Sequence, residues 1–126
     1  MELGIDAMIV SNHGGRQVDN AIAPLDALVS IREAVGPQPM ILLDSGIRSG
    51  TDVLIALALG ANACLIGRPY VYGLAIAGAD GVRQVIENIV AELDLTMGLL
   101  GIQTNKDLSR DLLIANEDQM GAAAVK

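Results

Sequence analysis

The stretch Met40-Ile41-Leu42-Leu43-Asp44-Ser45-Gly46-Ile47-Arg48-Ser49-Gly50 holds the pattern that predicts the fold. The four apolar residues Met40–Leu43 predict a buried strand of a parallel sheet. The polar, glycine-containing segment Asp44–Gly50 predicts a loop. A helix is then predicted over Thr51–Leu59, and it stops at Gly60. A strand, a loop and a helix in direct succession form the repeating unit of an α/β protein.

The same unit recurs on both sides of this stretch. One strand is predicted over Ala7–Val10, before a helix over Pro24–Val35, and another over Ala63–Ile66, before further helical segments. Three units in succession predict an α/β fold with a parallel sheet. Glycines and charged residues follow each strand directly. In α/β barrels and in open doubly wound sheets, ligands bind at this end of the strands.

The helix predicted over Pro24–Val35 is amphipathic and is expected to end at Gly36-Pro37. Asp26 and Arg32 are expected to face water. The opposite, apolar side of this helix is predicted to consist of Leu25, Leu28, Val29, Ile31 and Val35.

The C-terminal part of the chain is predicted to be helical. Two helical stretches are expected near Tyr70–Ala77 and Gly81–Leu100, and a last helix is expected over Asn105–Ala115 with Asn105 or Thr104 as its N-cap. The small and polar tail, 116–126, is predicted to be disordered.

Composition excludes several classes of protein. Of the 126 residues, 52% are hydrophobic, and the only aromatic residues are two tyrosines. The apolar content is therefore mostly aliphatic, as is typical of parallel sheets flanked by helices. A formal net charge of −7 argues against a nucleic-acid surface.

The single cysteine, Cys64, lies in an apolar run and is expected to pack in a core. Neither a disulfide framework nor a Cys/His metal cluster is expected, so no metal is predicted. No apolar stretch is long enough to span a bilayer, and the N-terminus does not resemble a signal peptide. These features favour a reducing, cytoplasmic location.

The segment Ser11-Asn12-His13-Gly14-Gly15-Arg16-Gln17 carries the chemistry of the first loop. His13, the only histidine, can exchange a proton near neutral pH, and Arg16 supplies a permanent cation three residues later. A base beside an anion anchor suits chemistry on a small carboxylic acid. A polar loop with a surface histidine is the alternative interpretation of this segment.

Each predicted post-strand loop contains an arginine: Arg16, Arg48 and Arg68. If the strands are parallel neighbours, these three guanidinium groups open onto one rim. Gly46 and Gly50 flank Arg48 and precede a helix start, where backbone N–H groups favour an anion. These loops predict a phosphate-bearing ligand, although ordinary turns with exposed arginines are the alternative.

These motifs, together with Gly67-Arg68-Pro69, resemble the FMN-dependent α-hydroxy acid oxidases and dehydrogenases in order and spacing. The resemblance implies the last three units of an eight-unit (β/α)₈ barrel, with residues 1–115 forming the C-terminal portion of the FMN hydroxy acid dehydrogenase domain. Asp44-Ser45-Gly46 and the segment after Gly67 favour the lactate oxidase and lactate 2-monooxygenase branch, and hence a lactate-like L-2-hydroxy acid as substrate.

The resemblance also implies roles for individual residues. His13 would be the active-site base, taking a proton from the 2-hydroxy acid while two electrons pass to the flavin, and Arg16 would pair with the substrate carboxylate. FMN would be bound by Ser11, Asp44, Ser45, Gly46, Ile47, Arg48, Gly67 and Arg68. Tyr70 and Tyr72 do not correspond to the substrate-facing tyrosines of the family and receive no role.

Because only three of eight units are represented, the chain is expected to fold poorly alone, to self-associate as a homo-oligomer, or to associate with the missing part of the barrel. Two alternatives remain open from the sequence. One is a different phosphate-binding barrel, such as an inosine-monophosphate-dehydrogenase-like protein. The other is a noncatalytic, truncated fragment.

Overall fold

Three short strands form a parallel sheet in the computed structural model, which describes residues 4–114. The strands alternate with helices in the predicted order. The elements are β1 (Ala7–Val10), α1 (Pro24–Val35), β2 (Met40–Leu43), α2 (Gly50–Ala58), β3 (Ala63–Cys64) and α3 (Arg68–Leu99). Short 3₁₀ turns occupy His13–Gly15, Asn105–Asp107 and Arg110–Leu112. The prediction of an α/β fold with a parallel sheet is confirmed.

Strand β2 lies between β1 and β3 and pairs in parallel with both. Val10 is aligned with Leu43, and Leu43 with Cys64, so all three strands end at the same edge of the sheet. Two further backbone hydrogen bonds continue the pairing into the loops: the Asp44 amide donates to the Val10 carbonyl and the Leu65 amide to the Leu43 carbonyl, each at 2.8 Å.

Strand β3 is shorter than the predicted Ala63–Ile66. Strand β2 ends at Leu43, so the chain beyond Leu65 has no continuing strand to pair with. The backbone therefore leaves the sheet before Gly67, where α3 has its N-cap.

The core lies between the sheet and the helices α1 and α2. Its buried side chains include Leu28 of α1, Ile41 and Leu43 of β2, and Ala56 of α2. The other face of the sheet is open: Met40 is 52% exposed and Ile9 is 59% exposed. The prediction that β2 is buried throughout is therefore wrong for Met40, because helices cover only one face of the sheet among residues 4–114.

Helix α1 has the predicted bounds and the predicted ends. Pro24 lies in its first turn, where its missing N–H costs nothing, and Gly36 ends it with a positive φ of 74°. Asp26 is exposed as expected, and Leu28 is fully buried, while the other four residues of the predicted apolar side are half-buried.

The prediction that Arg32 faces water is wrong. Its guanidinium donates hydrogen bonds to the carbonyl oxygens of Gly60 (2.7 and 2.9 Å), Gly36 (2.9 Å) and Pro39 (2.8 Å). It also donates to Asn62 Oδ1 at 2.9 Å, and that oxygen accepts from the Ile41 amide at 2.8 Å. The planar donor fork of Arg32 thus ties the end of α1 to the amino ends of β2 and β3.

Helix α2 begins at Gly50 and ends at Ala58, one residue earlier at each end than predicted. Ser49 and Asp52 form a reciprocal capping box at its start. At the same place α2 is crossed by α3, and Gly50 has no room for a side chain: a Cβ there would lie 2.2 Å from the Leu93 amide nitrogen. The Glu92 carboxylate accepts hydrogen bonds from the Gly50 amide (3.0 Å) and the Thr51 hydroxyl (3.2 Å).

The two helical stretches predicted near 70–77 and 81–100 are present as one run, α3, which is interrupted at Ala77 and Gly78. Gly78 has φ 60° and ψ −139°, so the backbone breaks there and the two parts fold back on each other. Gly73 and Gly81 meet at this fold, where a Cβ on Gly81 would lie 1.9 Å from the Gly73 carbonyl oxygen. Helix α3 starts two residues earlier than predicted, at Arg68.

The prediction of a last α-helix over Asn105–Ala115 is wrong within the described residues. Two 3₁₀ turns occupy the region, and Leu108 between them is extended. Thr104 is the N-cap of the first turn, as one of the two predicted caps, and forms a capping box with Asp107. Ala115 and the predicted disordered tail, 116–126, lie outside the described residues. No helix within 4–114 is both long enough and apolar enough to cross a membrane.

We expect Gly50→Ala to lower the free energy of unfolding by about 1–3 kcal/mol or more, because the new Cβ meets the backbone of α3 and the two helices must separate. Denaturant unfolding followed by circular dichroism measures the change. Gly98→Ala is the matched control: Gly98 is also helical and has open space around its Cβ position. The control is expected to leave stability unchanged or to raise it by up to about 1 kcal/mol. Equal effects of the two substitutions would contradict this account of the crossing.

Burial raises the pKa of the Cys64 thiol to about 11, and the half-buried side chain packs against the core as expected. The thiolate is the reactive form, so alkylation near pH 8 should be about 100-fold slower in the folded chain than in the unfolded chain. The rate of iodoacetamide labelling, with and without denaturant, measures the ratio. The raised pKa also means that the stabilising effect of this group is complete below pH 9 and is lost as the pH rises towards 11. Equal labelling rates in the two states would rule out this environment for Cys64.

Candidate active site

A cleft of about 290 Å³ lies at the carboxyl ends of the three strands. All three post-strand loops and the first turn of α3 contribute to its walls. The lining residues are His13, Gly14, Arg16, Asp44, Ser45, Gly46, Ile47, Arg48, Leu65, Gly67, Arg68, Pro69, Tyr70 and Val71. Of the residues predicted from sequence to form a site, only Ser11 does not line this cleft, and its hydroxyl is in hydrogen-bond contact with Asp44 and Ser45.

The three arginines Arg16, Arg48 and Arg68 meet at this cleft, as the parallel arrangement predicts. Among residues 4–114, none of their guanidinium groups makes a hydrogen bond or an ion pair with another side chain or carbonyl. Asp44 is the one acidic residue of the lining. The cleft therefore carries an excess of positive charge within a chain of net charge −7, which favours a small anion as its ligand.

The His13 turn, residues 13–15, has an unusual backbone. His13, Gly14 and Gly15 have positive φ angles of 54°, 66° and 75°. Glycine adopts this conformation freely, but for histidine it is uncommon and must be held by its surroundings. Each of the three amides is held: His13 N by Ser11 Oγ at 3.1 Å, Gly14 N by Asn12 Oδ1 at 3.0 Å, and Gly15 N by the Asn12 carbonyl at 2.9 Å. The imidazole itself is exposed at the cleft.

A hydrogen-bonded network joins the His13 turn to the loop after β2. The Ser11 hydroxyl donates to Asp44 Oδ2 at 2.5 Å, and the Ser45 hydroxyl donates to the same oxygen at 3.2 Å. The Ser45 hydroxyl also accepts from the Gly14 amide at 3.0 Å. Asp44 is thus occupied by two hydroxyl groups and is half-buried, so it does not neutralise the arginines by direct pairing.

The expectation that the start of α2 binds an anion through its backbone amides is wrong. The amides of Arg48 and Ser49 donate to Asp52 Oδ2 at 2.9 and 3.0 Å, and the Gly50 amide donates to Glu92 Oε2. Two carboxylates of the chain itself therefore satisfy this helix terminus. Glu92 follows Gly50 by 42 residues, so no local sequence signal could have indicated its role.

The start of α3, in contrast, is not capped by a side chain of the described residues. Its N-cap is Gly67, which has no side chain to cap the helix, and Pro69 in the first turn has no N–H. The Gly67-Arg68 segment lines the cleft, so the terminus of α3 and the Arg68 guanidinium border the same space as Arg48. Among the described residues, the donors on this side of the cleft that remain free for an anion are therefore the Arg48 guanidinium of the second loop and the start of α3.

Two lining residues differ from expectation. Ile47 was predicted as a cofactor contact, but it is only 5% exposed and packs in the core, so its main structural role is to anchor the loop. Tyr70, which received no role, lines the cleft because α3 begins at Arg68 and places the ring within its first turn. The predicted helix begins only near Tyr70, so the sequence gives no indication that Tyr70 lines the cleft.

The donors at the cleft fit a phosphate monoester. Arg48 and Arg68, whose guanidinium groups have no partner among residues 4–114, line the cleft beside a helix start without a side-chain cap. Both guanidinium forks and helix amides bind phosphate oxygens well. A volume of about 290 Å³ lies just below the range, about 300–1,000 Å³, of pockets that enclose a whole organic ligand. The cleft of the described residues is therefore too small to enclose a whole phosphate-bearing organic ligand by itself.

Comparison with known proteins agrees with this arrangement. A family model described as "FMN-dependent dehydrogenase" matches residues 1–115. The chain is 52% identical over 113 residues to an FMN-dependent alpha-hydroxy acid dehydrogenase of Penicillium citrinum, covering 90% of this chain and 28% of that protein. It is 50% identical over 113 residues to an L-lactate oxidase of Nostoc, covering 90% of this chain and 31% of the relative.

Among solved structures, a mandelate oxidase variant with a monooxide FMN adduct matches with a TM-score of 0.82 and 47% identity, over 86% of this chain and 35% of that chain. The chain thus spans about three-tenths of the length of the curated relatives it matches. The family and its cofactor, FMN, were both named from the sequence motifs, and the match confirms them. With its three parallel units and its arginine-rimmed cleft, the chain belongs to the FMN-dependent dehydrogenase family.

Proposed function

We propose that this chain takes part in the FMN-dependent oxidation of a small L-2-hydroxy acid to the 2-oxo acid, and that it supplies the base, the carboxylate anchor and the FMN phosphate site. One observation carries the proposal: His13 and Arg16 line the same cleft as Arg48 and Arg68. A proton acceptor and a carboxylate partner thus lie beside a phosphate site, and a flavin nucleotide and a hydroxy acid need all three together.

His13 is the proposed base. Its imidazole is exposed at the cleft while its backbone is fixed by the hydrogen bonds of the turn, so the ring is presented in a restricted direction. In this role it accepts the proton of the substrate hydroxyl. Arg16, three residues later, pairs with the substrate carboxylate through its planar fork and so orients the hydroxyl towards His13. FMN, when bound, accepts the two electrons.

The phosphate end of FMN is proposed to lie against Arg48, Arg68 and Gly67. Asp44, Gly46 and Ile47 of the adjoining loop complete the proposed cofactor site, and Ser11 and Ser45 are proposed to support that loop through their hydrogen bonds to Asp44. Ile47 acts in this proposal through its backbone, because its side chain is in the core.

The chain is further proposed to be the last three units of a (β/α)₈ barrel, with residues 1–115 as the C-terminal portion of the domain. The open face at Ile9 and Met40, together with the two unpaired edges of the sheet among the described residues, supports association with the remaining units or with further copies. A second copy or the rest of the barrel is therefore the proposed partner.

Substrate and location are the finer parts of the proposal. Two of the relatives are L-lactate oxidases, from Nostoc and Lysinibacillus sphaericus, and they support a lactate-like substrate. A cytoplasmic location is retained as a proposal, although one relative of Arabidopsis thaliana is a peroxisomal (S)-2-hydroxyacid oxidase. Membership of the FMN-dependent dehydrogenase family sets aside the alternative of an inosine-monophosphate-dehydrogenase-like barrel. The remaining alternative, a noncatalytic truncated fragment, predicts that the chain binds no flavin.

We expect the chain to bind FMN more tightly than riboflavin, because the arginines act on the phosphate. Arg48→Gln should weaken FMN binding about 10-fold, the effect of one lost charge-assisted contact, and leave riboflavin binding unchanged. Fluorescence titration of each flavin measures both affinities.

Arg83→Gln is the matched control for this titration, since Arg83 is exposed, pairs with Asp80 and lies outside the cleft. The control should bind FMN like the unaltered chain. Equal affinity for FMN and riboflavin in the unaltered chain would exclude the proposed phosphate site, and the absence of any flavin binding would favour the noncatalytic alternative.

We expect His13→Gln to slow flavin reduction by a 2-hydroxy acid about 10²–10⁴-fold, the usual loss when a general base is removed, without weakening FMN binding. Arg16→Lys should chiefly raise the KM for the acid, because lysine keeps the charge and loses the fork. Anaerobic bleaching of the flavin absorbance by L-lactate in the flavin-loaded protein measures both constants. Reduction by His13→Gln at the unaltered rate would show that His13 is not the base.

A further inference from the structure

We propose that Ser45 is a positioning residue that fixes the His13 turn to the loop between β2 and α2 (residues 44–49, the cofactor loop), rather than a direct contact of the cofactor. The chain places serine where the backbone has a φ of 79°, a conformation that side-chain-bearing residues rarely adopt and that glycine adopts freely. A serine in this position needs a compensating interaction, and its hydroxyl makes one across two loops.

The compensating interaction is directional. Asp44 Oδ2 can only accept when ionised, so both hydroxyls that contact it, those of Ser11 and Ser45, point their hydrogen atoms towards it. Their lone pairs are then left to accept from the His13 amide (3.1 Å) and the Gly14 amide (3.0 Å). The two hydroxyl oxygens lie 3.3 Å apart, a long separation that fits two donors which both serve the carboxylate.

The two serines belong to different loops, Ser11 to the one after β1 and Ser45 to the one after β2. Ser11 belongs to the same loop as the His13 turn, so its bond to the His13 amide is local. Ser45 follows Gly14 by 31 residues and belongs to the loop that precedes Arg48. Two hydrogen bonds therefore hold the loop of the base against the loop of the cofactor: Ser11 to Asp44 at the start of the first loop, and the Gly14 amide to Ser45, which is the one made within the His13 turn itself.

The relative position of the two loops affects the reaction rate, because the base and the cofactor must keep a constant separation for the reaction to proceed. Loss of the Ser45 hydroxyl should loosen the His13 turn and leave the phosphate site unchanged, since Arg48 and Arg68 do not take part in the network. The consequence for turnover rests on the proposed function, whereas the consequence for the turn does not.

Two substitutions separate the hydroxyl from the backbone strain. Ser45→Ala removes the hydroxyl and keeps a side chain at positive φ, while Ser45→Gly removes the hydroxyl and the strain together. Both should increase hydrogen exchange of the Gly14 amide about 5-fold, the effect of one lost hydrogen bond of average strength, because Asn12 Oδ1 still accepts from that amide. Ser45→Gly should have a higher melting temperature than Ser45→Ala.

NMR measurement of amide exchange in the full chain gives the first result. The Asp44 amide, which bonds to the Val10 carbonyl within the sheet, should exchange at an unchanged rate and so reports that the fold is intact. Asn20→Gly is the control variant, since Asn20 also has a positive φ, 58°, and is exposed outside the network. It should leave Gly14 exchange unaltered. Faster exchange in Ser45→Ala but not in Ser45→Gly would assign the effect to strain and overturn the proposal.

The flavin-loaded protein gives the second result. Both Ser45 variants should lower the kcat of hydroxy acid oxidation about 5-fold, in line with the loosened turn, with an unchanged dissociation constant for FMN. A raised dissociation constant with unaltered Gly14 exchange would make Ser45 a cofactor contact and overturn the proposal. If the unaltered chain takes up no FMN, the proposed function fails, and the exchange result alone then decides for or against the contact.

Discussion

Parallel pairing of β2 with a strand on each side is the constraint on which the candidate site depends. It aligns Val10, Leu43 and Cys64, so three loops that are far apart in the chain start from one edge of the sheet. Hydrogen bonds from the Asp44 and Leu65 amides extend this alignment by one step into two of the loops. The positions of the arginines and of His13 follow from it, because each is only a few residues from the end of its strand.

The two helix starts near the cleft, those of α2 and α3, differ in how their backbone amides are capped. The chain closes the start of α2 with its own carboxylates, Asp52 and Glu92, and leaves the start of α3 without a cap. Of the two helix starts, the one at Gly67-Arg68 is therefore the one left open at the cleft, which Arg48 also lines. Glu92 has a double role, since it also marks the place where α3 crosses Gly50 closely enough to exclude a side chain. Support for the loop that precedes α2 thus comes from a residue of α3 that follows Gly50 by 42 positions.

Local patterns in the sequence were sufficient for much of this structure. The bounds of α1 and β2, the parallel order and the convergence of the arginines follow from apolar periodicity, from Pro24 and Gly36, and from loop composition. Features that depend on distant partners were not predictable. Arg32 was expected in water because its helical position is polar, yet carbonyl oxygens of two later segments surround it. The Asn105 region has a helical composition, but its capping box encloses only a short turn. The positive φ of Ser45 likewise has no signature in its residue type.

Arg32 stabilises the sheet at the end opposite to the cleft. Its bonds to the carbonyl oxygens of Gly36, Pro39 and Gly60 fasten the segments that enter β2 and β3, and none of them involves a loop that lines the cleft. Substitutions in the loops that line the cleft therefore leave these bonds in place. The same sheet can in this way carry rim loops of different composition, and hence of different chemistry, without change at its other end.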